Sequence, residues 1–141
     1  MQNPDLRTLE GAGVRVLVCG GRDNSDTDFI HWVLATLHAK KPITLVIHGC
    51  ATGADSIGEQ WAAQTDGVTS YGVPADWKKH GSRAGPIRNR LMLEHGKPDL
   101  VVAFEGGAGT RDMTTAATAA GVKVLFAEKL RPHFEARPPW Q

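Results

Sequence analysis

No apolar run in this chain approaches the roughly eighteen residues that a membrane-spanning helix needs. Residues 1–15 also lack the apolar core of a signal peptide, so a soluble, cytoplasmic protein without a membrane partner is expected. A basic excess is missing too: sixteen Lys and Arg stand against fifteen Asp and Glu. Nucleic-acid backbones are held by surplus cationic charge, so nucleic acid is not the expected partner, although Lys78, Lys79, Arg83, Arg88 and Arg90 form a local basic strip. The two cysteines, Cys19 and Cys50, form no CxxC pair, and the six histidines show no ligand spacing with one another or with the cysteines. The reading therefore includes no metal and no cofactor. There is no Gly-x-Ser-x-Gly nucleophile elbow, no G-x-G-x-x-G of a dinucleotide fold, and no P-loop.

An ordinary globular composition remains, 41% apolar and 22% charged over 141 residues, enough for one domain with its own core. The spacing predicts alternating strands and helices. Strands are expected at Val14–Cys19, Ile43–Ile47, Val68–Val73, Leu100–Phe104 and Val122–Ala127. Phe29, Ile30, Val33, Leu34 and Leu37 recur at helical spacing, with Ser25 or Asp26 able to cap the start. Ala54, Ile57, Gly58, Trp61 and Ala62 mark a second helix. A third carries Pro86 in its first turn and ends near Gly96; a fourth runs through Met113, Ala116, Ala117 and Ala120. Pro74–Gly85 reads as the longest irregular stretch and a candidate lid.

This alternation gives an α/β, Rossmann-like three-layer domain over 14–127, with a five-stranded parallel sheet in the order 3-2-1-4-5. A flexible arm is expected over 1–13 and a tail without trusted periodicity over 128–141. Ligands of such sheets lie beyond the carboxyl ends of the strands, where the winding direction reverses. Gly20-Gly21-Arg22 and Glu105-Gly106-Gly107-Ala108-Gly109-Thr110 should therefore face one another across one crevice, with Gly49 to Asp55 beside it.

Asp99 to Met113 is the most informative stretch: a strand, three glycines within Gly106–Gly109, then a helix. Glycines let a ligand reach the main chain, and a helix start offers unpaired N–H groups and positive dipole, the makings of a phosphate site. The candidate ligand-binding residues are Gly20, Gly21, Arg22, Gly49, Asp55, Arg88, Asn89, Gly106, Gly107, Gly109 and Thr110, with Arg22 and Arg88 as phosphate forks. Asp55 has two readings, a carboxylate stabilising its helix dipole or a contact to a ribose hydroxyl. His48 reads first as a packed, hydrogen-bonded histidine. Trp77 either stacks a base or closes the core with Trp61.

Four ordered blocks resemble the YspA-like branch of the SLOG superfamily. They are Val-Leu-Val-Cys-Gly-Gly-Arg-Asp, Val-Ile-His-Gly-Cys-Ala-Thr-Gly-Ala-Asp, Pro-Ala-Asp-Trp with Ala-Gly-Pro-Ile-Arg-Asn-Arg-Leu-Met, and Ala-Phe-Glu-Gly-Gly-Ala-Gly-Thr-Arg-Asp-Met. The resemblance implies a Rossmann-like fold that binds a nucleotide or nucleotide-derived small molecule, and it allows a homodimer formed through helices beside the site. The superfamily also holds LOG-type phosphoribohydrolases and DprA-type DNA-processing proteins. In the hydrolases the loop reads Pro-Gly-Gly-x-Gly-Thr-x-x-Glu, with catalysis by that glutamate and an arginine on the preceding helix. Gly106, Gly107, Gly109 and Thr110 match the loop and Arg88 matches the arginine, but Met113 stands at the glutamate position and Glu105 at the proline. An oxocarbenium-like transition state needs a carboxylate, for which Asp112, Glu105 and Asp23 are the candidate substitutes here. The expectation is therefore a ligand-binding sensor or effector component. The alternatives are an N-glycosidic-bond hydrolase using Arg88, Glu105 and Asp112, and a DprA-like DNA-processing protein.

Overall fold

The computed structural model describes residues 13–141, so all but Gly13 of the expected N-terminal arm lies outside the described residues. Five strands, β1 (Val14–Cys19), β2 (Ile43–His48), β3 (Thr69–Gly72), β4 (Leu100–Ala103) and β5 (Lys123–Phe126), form one sheet in the order β3-β2-β1-β4-β5. Every pairing is parallel, as the expected 3-2-1-4-5 order requires. The helices are α1 (Thr27–Lys40), α2 (Ala54–Ala63), α3 (Trp77–His80), α4 (Ala84–Gly96), α5 (Ala108–Ala119) and α6 (Arg131–Glu135).

The pleat of β1 divides the core in two. Val16 and Val18 face a layer built with Phe29, Ile30, Val33 and Leu34 of α1 and Ile57, Trp61 and Ala62 of α2. Leu17 and Cys19 face the other layer, with Met92 of α4 and Met113 and Ala117 of α5. With both faces covered, β1 has no solvent side on which polar residues would be tolerated, hence its nearly unbroken apolar sequence. The edge strands are shorter than expected, and every residue of β3 is exposed. Burial, which makes the inner strands legible, is weak there.

Two segments carry more structure than their sequences suggest. Pro74–Gly85 contains α3, capped by Asp76 Oδ1 accepting from the Lys79 N–H at 3.1 Å, and a 3-10 turn at Gly81–Arg83 that runs into α4. One helical turn is too short to display a period. Beyond β5, a 3-10 turn (Ala127–Leu130) leads into α6, whose Phe134 ring lies 5.2 Å from Phe29 and 5.4 Å from Trp32. Arg131 pairs with Asp26 at 2.8 Å and with Glu128 at 2.9 Å, and its guanidinium lies 3.9 Å from the Phe29 ring centroid. Asp26 occupies the cap position of α1, as expected, but makes no side-chain capping bond. Its carboxylate instead ties the C-terminal segment to the domain.

Candidate functional site

The carboxyl ends of β1, β2 and β4 release three loops that are bonded to one another. The Gly21 N–H donates to the Glu105 carbonyl at 2.9 Å, and the Gly21 carbonyl accepts from the Ala54 N–H at 3.2 Å. Thr52 Oγ1 donates to the Arg22 carbonyl at 3.2 Å. The loop after β1 thus bridges those after β2 and β4, approached closely by Gly53 on one side and Gly106 on the other. A Cβ on Gly106 would overlap Thr110 Oγ1 and stand 2.6 Å from the Gly21 nitrogen. Between the loops and the starts of α4 and α5 opens a crevice of about 1160 Å³.

Twelve of the residues singled out in the sequence border this crevice: Gly20, Gly21, Arg22, Asp55, Arg88, Asn89, Glu105, Gly106, Gly107, Gly109, Thr110 and Asp112. Gly49 borders instead a smaller chamber of about 340 Å³ alongside it. The two cavities share Arg22, Ala51, Trp77 and Arg88. Arg83 and Arg90 border neither.

Arg88 is half-buried and fixed by the main chain. Its Nη1 donates to the Gly49 carbonyl, and its Nε donates to Asn89 Oδ1 at 3.1 Å. A side chain on Gly49 would collide with the guanidinium, its Cβ lying 2.7 Å from Cζ. Among the described residues no carboxylate lies within ion-pairing distance of Arg88. Burial holds the guanidinium below its ordinary value, with Arg22 adding to the effect and Asp55 opposing it.

Asp55 has a defined task in the loop that positions Arg88. Its Oδ2 accepts from the Gly49 N–H at 2.8 Å and from the Ala51 N–H at 3.4 Å. The side chain is buried, and that desolvation raises its pKa despite the two N–H donors and nearby Arg88. His48, also buried, accepts the Cys50 N–H on Nδ1 at 3.1 Å, which leaves Nε2–H to donate to Glu59 at 2.9 Å. The loop is thereby held from both sides. His48 is the packed, hydrogen-bonded histidine that its strand-end position suggests. Neither cysteine is activated: burial pushes the Cys19 thiol up to about 12, and burial with Glu59 and Asp55 raises that of Cys50.

Opposite lies the start of α5. Its first main-chain bond is donated by Arg111 to the Gly107 carbonyl, which leaves the N–H groups of Ala108, Gly109 and Thr110 without an acceptor among the described residues. A Cβ on Gly107 or Gly109 would meet no atom within 4 Å, so packing does not demand glycine at either position. Asp112 is not merely solvated: it accepts from Arg90 Nη1 at 2.8 Å and Nη2 at 3.2 Å, and from Asn89 Nδ2 at 3.0 Å. Those bonds, Arg90 first, hold its carboxyl below the usual carboxylate range. Met113, in the hydrolase glutamate position, is buried in the apolar layer. Asp23, Asp55 and Glu105 are the crevice carboxylates in no ion pair among the described residues, and of these Asp55 is held by the Gly49 and Ala51 N–H groups.

Trp61 is buried in the core beside His38, whereas Trp77 is 49% exposed, with the Arg22 guanidinium 5.2 Å from its ring centroid. The structure thus separates the two tryptophans that the sequence left paired. The Arg90–Asp112 bond and the arrival of Arg131 at the crevice link residues far apart in the chain, and no local pattern signals them. Among the described residues no helix is long and apolar enough to cross a membrane, and no group of three or more His, Cys, Asp or Glu side chains is arranged to hold a metal.

Residues 14–80 match the model of a family described as YAcAr: YspA, cpYpsA-related SLOG family. The chain is 38% identical over 123 residues to the Gene 61 protein of Mycobacterium phage D29, an alignment covering 82% of this chain and 98% of that protein. Among solved structures it resembles DNA processing protein A (DprA) from Streptococcus pneumoniae, with a TM-score of 0.51 and 16% identity over 91% of this chain and 63% of that one. At that identity the likeness is one of fold.

Proposed function

Because the chain belongs to the YspA, cpYpsA-related SLOG family, we propose that it binds a phosphorylated, nucleotide-derived small molecule in the crevice and acts as a sensor or effector component. The phosphate sits over the open N–H groups of α5, with Arg88 and Arg22 as forks. The observation that carries this reading is Arg88 itself, a half-buried guanidinium with two of its five N–H donors engaged and no carboxylate in contact, on the same crevice as the unpaired start of α5. A buried cation is costly without a counter-charge, and a bound phosphate supplies one.

Calorimetric titration with ribose 5-phosphate and a panel of nucleoside monophosphates tests the proposal, with mass spectrometry of any molecule that copurifies. Arg88→Met should weaken phosphate-ligand binding by about 1.5–3 kcal/mol, roughly 10- to 150-fold, the worth of hydrogen bonds to a charged group. Arg90→Met, whose charge is already taken by Asp112, should bind nearly as wild type. Equal affinity of wild type and Arg88→Met would remove the fork.

One observation favours a second reading, hydrolysis of an N-glycosidic bond: Glu105 is an exposed crevice carboxylate in no ion pair. Against it, Met113 is buried where the hydrolases carry glutamate, and Asp112 is held by Arg90 and Asn89. Base release from a nucleoside monophosphate, abolished by Glu105→Gln, would make this the correct reading.

A further inference from the structure

We infer that the side chamber is a subsite for the planar heterocyclic ring of the ligand, with the Trp77 indole as its stacking wall; this rests on the phosphate reading above. Trp77 is held, not loose: α3 is capped by Asp76, and a Cβ on Gly85 of α4 would lie 3.5 Å from Trp77 Cη2, so the benzo edge passes directly over that glycine. A tryptophan that contributes to neither apolar layer yet is fixed in place has a face available for another purpose. Arg22 marks that face, since its planar cation already lies over the ring, and an exposed contact of this kind is weak enough to exchange for a flat ligand.

The chamber suits a ring rather than a phosphate-sugar. At about 340 Å³ it sits near the lower end of the roughly 300–1,000 Å³ of ligand pockets. Cys50, Pro74 and Ala75 give it an uncharged side, and its border includes no carboxylate. Arg22, Ala51, Trp77 and Arg88 border both cavities, so a molecule whose phosphate is held by Arg88 has its remaining part beside the chamber mouth. Trp77 then sets the direction in which the ligand lies, away from α6 and toward the segment after β3.

Calorimetry with ribose 5-phosphate against the four common nucleoside monophosphates tests this on wild type, Trp77→Ala and Ala75→Phe, the last residue bordering the chamber alone. Wild type should bind at least one monophosphate about 5- to 150-fold more tightly than ribose 5-phosphate, the worth of one base stacked on an aromatic ring. Both variants should lose that advantage while ribose 5-phosphate affinity stays unchanged, and the monophosphate should quench wild-type tryptophan emission but not that of Trp77→Phe. If ribose 5-phosphate binds as tightly as every monophosphate, or the variants keep the advantage, the ring subsite is overturned and the phosphate site stands. If neither class of ligand binds wild type, the phosphate reading falls and the subsite with it.

Discussion

The same substitution at Gly106 and at Gly109, three residues on, should have very different effects. At Gly106 an added methyl overlaps Thr110 Oγ1 and stands 2.6 Å from the Gly21 nitrogen and 3.0 Å from the Gly20 carbonyl carbon. Two of these neighbours are main chain of the adjoining loop, so relief requires the loops after β1 and β4 to part. Parting breaks the 2.9 Å bond from the Gly21 N–H to the Glu105 carbonyl. Overpacking costs about 1–3 kcal/mol and the lost bond about 0.5–1.5, so Gly106→Ala should destabilise by about 2–4 kcal/mol. At about 3–5 °C per kcal/mol for a chain of this length, Tm should fall by about 6–20 °C. Gly109 lies in the first turn of α5, and its added methyl would touch nothing within 4 Å. Alanine there should leave stability unchanged or raise it by about 0.5 kcal/mol, through the smaller conformational entropy of the unfolded chain. Calorimetric melting of both variants beside wild type decides the matter. Equal Tm values for Gly106→Ala and wild type, or a loss at Gly109→Ala as large as at Gly106→Ala, would refute the account of how the loops meet.

Asp55→Ala should cost about 1–3 kcal/mol, since it leaves the buried Gly49 N–H without an acceptor, whereas Asp55→Asn keeps an oxygen there and should stay within about 1 kcal/mol of wild type in urea melts. The pH dependence has a definite sign. Burial raises the folded pKa of Asp55 above 3.8, so across the window from 3.8 up to the folded value the native state holds the extra proton, and its stability falls as pH rises. Relative to wild type, Asp55→Asn should therefore fare worst below pH 3.8 and best above that window; an advantage that shrinks with rising pH would contradict this. Phe134→Ala removes half-buried contacts to Phe29 and Trp32 and should lower stability by about 2–3 kcal/mol in the same melts. An unchanged urea midpoint would mean that α6 contributes nothing to the fold.

The fold was legible wherever burial is two-sided or periodic. Val14–Cys19 and Ile43–Ile47 announce themselves because no position in them is fully exposed, and α1 because its apolar residues return every three or four positions. The strand order followed from crossover handedness, and the meeting of the Gly21 and Gly106 loops followed from the order. The four-residue α3 and five-residue α6 were not legible, because a single turn has no period. Local patterns also could not assign partners. Asp26 sits at the cap position of α1 but directs its carboxylate to Arg131, and Asp112, a candidate catalytic carboxylate, is held by Arg90, 22 residues earlier. Gly49, read as a ligand-binding glycine, borders the side chamber, and its missing side chain makes room for Arg88.

The phosphate site at the start of α5 is the claim on which the functional account turns, and amide chemical shifts report on it directly. In a proton–nitrogen correlation spectrum titrated with ribose 5-phosphate, the largest shifts should fall on the N–H groups of Ala108, Gly109 and Thr110, which have no acceptor among the described residues, with smaller shifts around Arg22 and Arg88. Saturable binding that leaves those three amides unmoved, or no binding at all, would contradict it.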